Sequence, residues 1–378
     1  MVVYISRRFE ADVGAQVHKS ILDEIYGENN VFTFDLRPIT PKSENRYICY
    51  GKYKTIFERL IRWMQGNSMY ISNQIIHEIC DIFEEIKPEL VFLEESDLGN
   101  LTKAIKRKFP HIKIVCFYHD IGADLFRQWA DKSSLVGKIE NYICIKQEYI
   151  NQKYTDEDIV FHKRDAELYQ KFYQGSPEHI MPLSTYVKQL PDEFVKASVT
   201  TEQTKKKLLF VGTKYYPNIE GIRWFYTNVL PNLGDNIELN IVGRGTEQLT
   251  DEFTDQRVRV LGTVDDISEY YYDADIVIAP LFSGGGMKLK SMEAISMGKC
   301  LVGNEESLVG FWENMDETVR NRIVYNCKTK DEWVQVLNQL AKQKIHKFNP
   351  ELYTVFINNF SYSCTKNAFM KMLGIKED

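Results

Sequence analysis

Along the chain, short runs of consecutive apolar residues alternate with longer stretches whose apolar positions recur every three or four residues. In the first half the short runs are VVYIS (2–6), VFTFDL (31–36), ELVFLE (89–94) and IKIVCFY (112–118). Between them, AQVHKSILDEIY (15–26) and NQIIHEICDIFEEI (73–86) carry the spacing of amphipathic helices. The second half repeats the rhythm with KLLFVG (207–212), IELNIVG (237–243), RVRVLG (257–262), DIVIAP (275–280) and CLVG (300–303). Helices are predicted over PNIEGIRWFYTNVL (217–230), where Pro217 suits a first turn, and again directly after Gly286. Strands that are apolar on both faces and alternate with helices predict parallel sheets covered on both sides.

The polar stretch LPDEFVKASVTTEQTKKK (190–207) reads as a linker between the two halves. From residue 349 onward the tail reads as two amphipathic helices broken near Ser361. The expected fold is therefore α/β, with two doubly wound domains facing across a cleft lined by the carboxyl ends of their strands. The expected boundaries are 1–190, 191–350 and a terminal helical segment, 351–378.

Length agrees with two domains, because 378 residues exceed one ordinary core. A net charge of -6 argues against nucleic acid as a partner, which needs a cationic footprint. Seven dispersed cysteines show no metal spacing and fit reduced thiols, Cys116 within IKIVCFY reading as a buried one. The N-terminus has no signal-peptide pattern and no stretch is long enough to span a membrane. The expected location is cytoplasmic, or at the inner face of a membrane. Oligomeric state is left unassigned.

The chemistry concentrates in LFSGGGMKLKSMEAISMG (281–298), which follows a predicted strand and opens a helix. A helix N-terminus offers unpaired N–H groups, and glycines let an anion reach them. Gly284, Gly285 and Gly286, flanked by Ser283 and Met287 and followed by Lys288 and Lys290, make a diphosphate seat. The competing reading is a glycine turn with solvated lysines. Glu293 shares a helical face with Gly286 and Lys290, where it accepts from ribose hydroxyls or pairs with Lys290. The pattern is neither a P-loop nor a GxGxxG fingerprint, and VGRGTEQL (242–249) holds only a weak GxG.

In the first half, Gly14 stands at a loop-to-helix junction, and His119 and Asp120 follow a strand's carboxyl end. Arg164 and Asp165 lie at another junction, where Asp165 is also a helix cap. The acidic triplets DAD (273–275) and DED (156–158) are read as solvated rather than metal-binding, DED within a polar connection. No metal ligand set is assigned. Residues 41–70 are basic, and Phe57, Leu60, Ile61 and Met64 share a helical stripe beside Arg59, Arg62 and Trp63. That stripe either packs on the core, the favoured reading, or lies on an anionic membrane surface.

Taken in order, KLLFVGTKYYPN, LNIVGRGTEQL and VRVLGTVDDISEYYYDADIVIAPLFSGGGMKLKSMEAISMGKCLVG resemble glycosyltransferase family 4, in its bacterial surface-polysaccharide branch. The resemblance is strong over about 205–310 and weaker at DVGAQ, CFYHDIG and FHKRDAELY, while FSYSCTKNAFMKML is similar to the family's terminal helix. It implies a GT-B fold whose last helix crosses back to the N-terminal domain. It also implies metal-independent, retaining transfer of a sugar from a nucleotide diphosphate sugar, UDP by default, with no cofactor. The acceptor would be a saccharide or lipid-linked saccharide, bound by the N-terminal domain with Arg59, Arg62, Trp63 and Arg164 as acceptor or membrane candidates.

By matching position, the resemblance gives His119, Lys288 and Glu293 the catalytic places. His119 would stand near the reacting sugar, Lys288 on the diphosphate and Glu293 on the ribose. Gly14, Lys214, Val264 and the 283–287 stretch with Lys290 would meet the donor. The first glutamate of the family's E-x7-E is replaced by Gly285, and VGTK offers Lys214 where members carry an Arg and a Lys. Those departures admit an inactive homologue that stabilises a partner enzyme; the other alternative, a sugar-nucleotide epimerase of the same fold, would need clustered acids or histidines around the sugar, where the sequence offers His119 with Asp120.

Overall fold

A computed structural model describes residues 1–7, 13–37, 42–51, 55–128, 134–196 and 205–376. The chain divides into two compact units, Met1–Thr185 with Thr365–Asp378, and Tyr186–Cys364.

The first unit contains strands β1 (Val2–Ser6), β2 (Val31–Asp35), β3 (Lys42–Glu44), β4 (Tyr47–Cys49), β5 (Leu90–Leu93), β6 (Lys113–Tyr118), β7 (Glu157–Val160) and β8 (His179–Ile180). Its helices are α1 (Val13–Tyr26), α2 (Ile56–Met64), α3 (Asn73–Ile86), α4 (Gly99–Lys108), α5 (Gly122–Gln128), α6 (Leu135–Asn151) and α7 (Lys163–Tyr173). The sheet order is β3-β4-β2-β1-β5-β6-β7-β8. All pairs are parallel except β3 with β4, and Val3 lies between Phe32 and Val91.

Both faces of this sheet are covered, which is why its central strands are apolar throughout. Helix α3 shows how sequence specifies the cover. The Ser72 hydroxyl accepts from the Ile75 N–H, Lys87 closes the helix at φ 46, and Ile75, Ile76, Ile79, Cys80 and Phe83 form its buried stripe. Complete burial of Ile79 and of Phe83 stabilises the unit by about 2 kcal/mol each.

The second unit contains α8 (Asp192–Val195), β9 (Lys206–Val211), α9 (Tyr216–Trp224), β10 (Ile237–Val242), β11 (Val258–Gly262), α10 (Ser268–Asp273), β12 (Ile276–Ala279), α11 (Leu289–Ser296), β13 (Cys300–Gly303), α12 (Glu305–Leu308), β14 (Val324–Asn326), α13 (Lys330–Ala341) and α14 (Pro350–Phe360). Helix α15 (Tyr362–Leu373) begins here, and from Thr365 onward it belongs to the first unit. The sheet order is β11-β10-β9-β12-β13-β14, parallel throughout.

In each sheet the strand order reverses beside the first strand, between β1 and β5 and between β9 and β12. At such a switch point, successive loops diverge to opposite faces and open a crevice at the carboxyl ends.

Several expectations are corrected. DED is not a polar connection: Glu157–Val160 is a strand paired with β6, and Asp158 is buried and accepts from the Tyr169 hydroxyl. The start of the expected linker is packed, because Phe194 is buried against Tyr272 and Phe348; residues 197–204 lie outside the described residues. The expected helix over 217–230 changes character at Phe225, continuing as a π turn and then a 3₁₀ turn to Asn232.

The terminal segment divides at Thr365 rather than at 351, because α14 packs on α11 within the second unit. The α2 stripe does not face the core: Phe57, Leu60 and Met64 are exposed, and Arg62 is the buried residue, donating to the Met69 carbonyl. Lys52 and Lys54 of that segment lie outside the described residues.

Candidate active site

In the second unit, the carboxyl ends of β9, β10, β11 and β12 bring the predicted donor residues together. The loop after β9 meets the loop after β10, where the Lys214 N–H donates to the Arg244 carbonyl. A Cβ at Gly243, at φ 143, would fall 2.2 Å from the Gly212 carbonyl oxygen, so the two turns touch backbone to backbone. Helix α9 sits equally close to the loop after β12. A Cβ at Gly221 would lie 1.7 Å from the Pro280 carbonyl oxygen.

The glycine stretch crosses from β12 to α11, with Gly284 at φ 123 and Gly286 at φ 56. Among the described residues no side chain caps α11, whose N-cap residue is Lys288. The Lys288 ammonium folds back over the loop, 2.8 Å from the Gly285 carbonyl, 3.0 Å from that of Gly286 and 2.8 Å from the Glu306 carboxylate. It therefore stands at the helix start with its charge already paired.

Lys290 is a correction, since it adds no open cation to the loop. It is buried, its Nζ donates to Asn218 Oδ1 and lies 4.7 Å from the centre of the Phe210 ring, and burial with Lys288 nearby lowers its pKa to about 7. Met287 is likewise buried under Gly310, where a Cβ would come within 2.7 Å of it, so its side chain packs instead of facing a ligand.

Glu293, half-buried on α11, does not pair with Lys290. Its Oε2 accepts from the Tyr271 hydroxyl at 2.7 Å, and burial raises its pKa. Ser283 donates to Glu220 at 3.4 Å, exposed Lys214 reaches Gln248, and Val264 is half-buried after β11.

In the first unit, the carboxyl ends of β1, β5 and β6 surround a cavity of about 180 Å³. Its walls include Arg7, Glu94, Glu95, Asp97, His119, Asp120 and Glu148. Glu94 Oε1 lies 2.7 Å from His18 Nδ1 and 2.7 Å from His119 Nε2. Both imidazoles therefore donate to one carboxylate oxygen. Burial opposes charge on Glu94, but the two imidazoles outweigh it and hold its pKa well below the usual carboxylate range.

These three side chains are a metal-ligand set by donor type. Two ligands of a tetrahedral zinc, however, stay about 3.3 Å apart. The 2.7 Å contacts are hydrogen-bond lengths.

Around this pair, Arg7 bridges Glu95 through its N–H at 2.9 Å and Asp97 through Nη1 at 3.0 Å. Burial pushes Glu148 up to about 7, although Ser96, the Gly122 N–H and the Tyr173 hydroxyl all donate to it. Phe369 of α15 stacks on His18 at 5.2 Å.

Gly14 lies in the first turn of α1. Arg164 lies in the first turn of α7, whose cap is His162 rather than Asp165: His162 Nδ1 accepts from the Asp165 N–H at 3.1 Å. Arg59 pairs with Glu140 on α6 and covers the Trp63 ring at 4.7 Å.

Sequence reading missed Glu94, Glu95, Asp97, Glu148, Tyr271, Asn218 and Glu306. Of these, only the EESD run at 94–97 carried a signal: its carboxylates directly follow an all-apolar strand, at the carboxyl end where such sheets place their ligand sites.

Residues 205–343 match the model of a family described as glycosyl transferases group 1. No curated protein matches the chain in sequence. Among solved structures, sucrose-phosphate synthase of Thermosynechococcus elongatus is similar at TM-score 0.71 and 13% identity, covering 99% of this chain and 98% of that one. The Anabaena protein HepE, in complex with UDP and glucose, is similar at TM-score 0.67 and 10% identity, covering 99% of each chain. The lipopolysaccharide outer core galactosyltransferase WaaB is similar at 0.66 and 13%, covering 98% of this chain and 99% of that one. With the two parallel sheets, these matches show an α/β fold of the GT-B type, built from two Rossmann-like units. Among the described residues, no helix is long and apolar enough to cross a membrane.

Proposed function

We propose that the protein is a retaining glycosyltransferase that moves a sugar from a UDP-sugar to a saccharide or lipid-linked saccharide in surface-polysaccharide assembly. One observation carries the reading: an uncapped helix start, entered through Gly284–Gly286 and topped by the Lys288 ammonium, stands at the switch point of the second sheet. The family match over 205–343 and the UDP held by HepE support it.

In this proposal the second unit holds the donor and the first the acceptor. The α11 amides and Lys288 stabilise charge on the departing diphosphate, Lys288 exchanging Glu306 for phosphate. Glu293, oriented by Tyr271, holds the ribose, and Val264 lines the base. His119, oriented by Glu94, meets the reacting sugar. The donor phosphate takes the acceptor proton in a front-face displacement, so no protein nucleophile and no metal are assigned a step.

The protein docks peripherally on a membrane through Ile56, Phe57, Leu60 and Met64 of α2 with Leu135 and Val136 of α6, all exposed. Liposome sedimentation checks this part, and an absence of salt-sensitive pelleting on anionic vesicles refutes it.

The central test is a thermal-shift panel of nucleotide sugars, followed by donor hydrolysis and transfer. A UDP-sugar raises the melting temperature, and Lys288→Ala lowers kcat/KM by roughly a hundredfold or more. Gly285, standing where relatives of this kind keep a glutamate, favours a second reading, an inactive homologue that stabilises a partner enzyme. A chain that binds no nucleotide sugar selects it.

A further inference from the structure

Beside the cavity that holds His119 lies a second one in the same unit, of about 220 Å³, and the two share Arg7, Asp97, Phe126 and Cys144. Among the described residues, three polar groups on its walls have no hydrogen-bond partner: Trp63 Nε1, Ser68 Oγ and Asp97 Oδ1. Ser68 is 3% exposed and Asp97 5%. Each such group, buried and unsatisfied, is destabilising, a penalty that a ligand removes by pairing with it.

Their senses differ. The indole N–H donates, the hydroxyl does either, and the carboxylate oxygen accepts. Aromatic surface from Trp63 and Phe126 completes the wall.

We infer that this cavity binds an uncharged pyranose ring of the acceptor, an inference that rests on the glycosyltransferase reading. A pyranose presents hydroxyls that donate and accept along its edge and an apolar C–H face for aromatic rings. An alkyl chain would leave all three polar groups unpaired. An anionic sugar would meet Asp97, whose positive partner Arg7 is already engaged, with Glu94, Glu95 and Asp120 in the adjoining cavity. Asp97 accepts from a ring hydroxyl through Oδ1 while Arg7 holds Oδ2, Ser68 bridges a neighbouring hydroxyl, and Trp63 donates to a ring or hydroxyl oxygen.

The test uses the full chain, without donor, titrated by saturation-transfer NMR with methyl glucopyranoside, galactopyranoside and mannopyranoside, and with methyl glucuronide. At least one neutral pyranoside binds saturably, and the glucuronide binds more weakly. Trp63→Phe, which keeps an aromatic face of smaller area and removes the N–H, and Ser68→Ala each raise Kd by roughly fivefold. Neither alters the melting shift produced by UDP.

The inference is overturned if no neutral pyranoside binds up to about 50 mM, if the glucuronide binds best, or if both variants bind as the wild type does. A UDP shift without pyranoside binding removes this inference and leaves the glycosyltransferase reading. Pyranoside binding without a UDP shift does the reverse.

Discussion

Glu94→Gln isolates the group on which the first unit's site is built. Glu94 is fully buried, and one of its oxygens accepts from two imidazoles at 2.7 Å each. A hydrogen bond to a charged acceptor contributes about 2 kcal/mol and a neutral one about half of that. Glutamine keeps the oxygen and removes the charge, so the two bonds together lose about 2 kcal/mol. Burial of a carboxylate works the other way, and relieving it would stabilise the variant. The direction of the shift decides which wins: the folded protein holds Glu94 below its ordinary value of 4.5, so attraction to the imidazoles exceeds the burial cost.

The variant should therefore unfold at lower urea at pH 7, with a melting temperature lower by roughly 4–8 °C for a unit of this size. The pH dependence gives a second reading. A depressed carboxylate contributes stability that is present above its unfolded pKa and lost as pH falls through the folded one. The wild type should lose stability below about pH 4.5, and Glu94→Gln should lose less over that range. Equal urea midpoints at pH 7, or the same acid slope in both proteins, would refute the argument.

Tyr271→Phe removes the hydroxyl that orients Glu293, and UDP affinity measured by calorimetry should fall roughly fivefold, with a loss of up to about 2 kcal/mol of stability as the bond to the carboxylate goes. Glu148 titrates in the opposite sense to Glu94. Its raised value means stability present below 4.5 and lost as pH rises through about 7, so Glu148→Gln should flatten the pH dependence of the unfolding free energy between pH 5 and pH 8, by as much as about 3 kcal/mol, read from urea titrations. Gly221→Ala forces a methyl onto the Pro280 carbonyl and should destabilise the second unit by about 3 kcal/mol or more, read as a lower urea midpoint; a neutral result would mean that α9 moves freely from that loop.

The order of apolar runs and helical stripes was enough to specify two parallel α/β sheets, because strand burial on both faces and helix amphipathicity are local properties of the chain. The strongest runs, at β1, β5, β6, β9 and β12, are the central strands that both sheets are built around. The glycine-to-helix transition at 284–289 was legible for the same reason: left-handed glycines and a helix start are written in adjacent residues.

Tertiary structure decided what those segments face. The spacing of Phe57, Leu60 and Met64 put them on one side of α2, yet only the packing of that helix determined that the side is exposed and that Arg62 is buried. Two lysines two residues apart on the start of α11 look equivalent in sequence; Glu306 holds one over the glycine loop, and Asn218 draws the other into the interior. His18, Glu94 and His119 are far apart in sequence and meet because β1 lies between β2 and β5, with β6 beside β5. Periodicity is a short-range property and strand order a long-range one, so the elements could be read along the chain while the residues converging at each switch point could not.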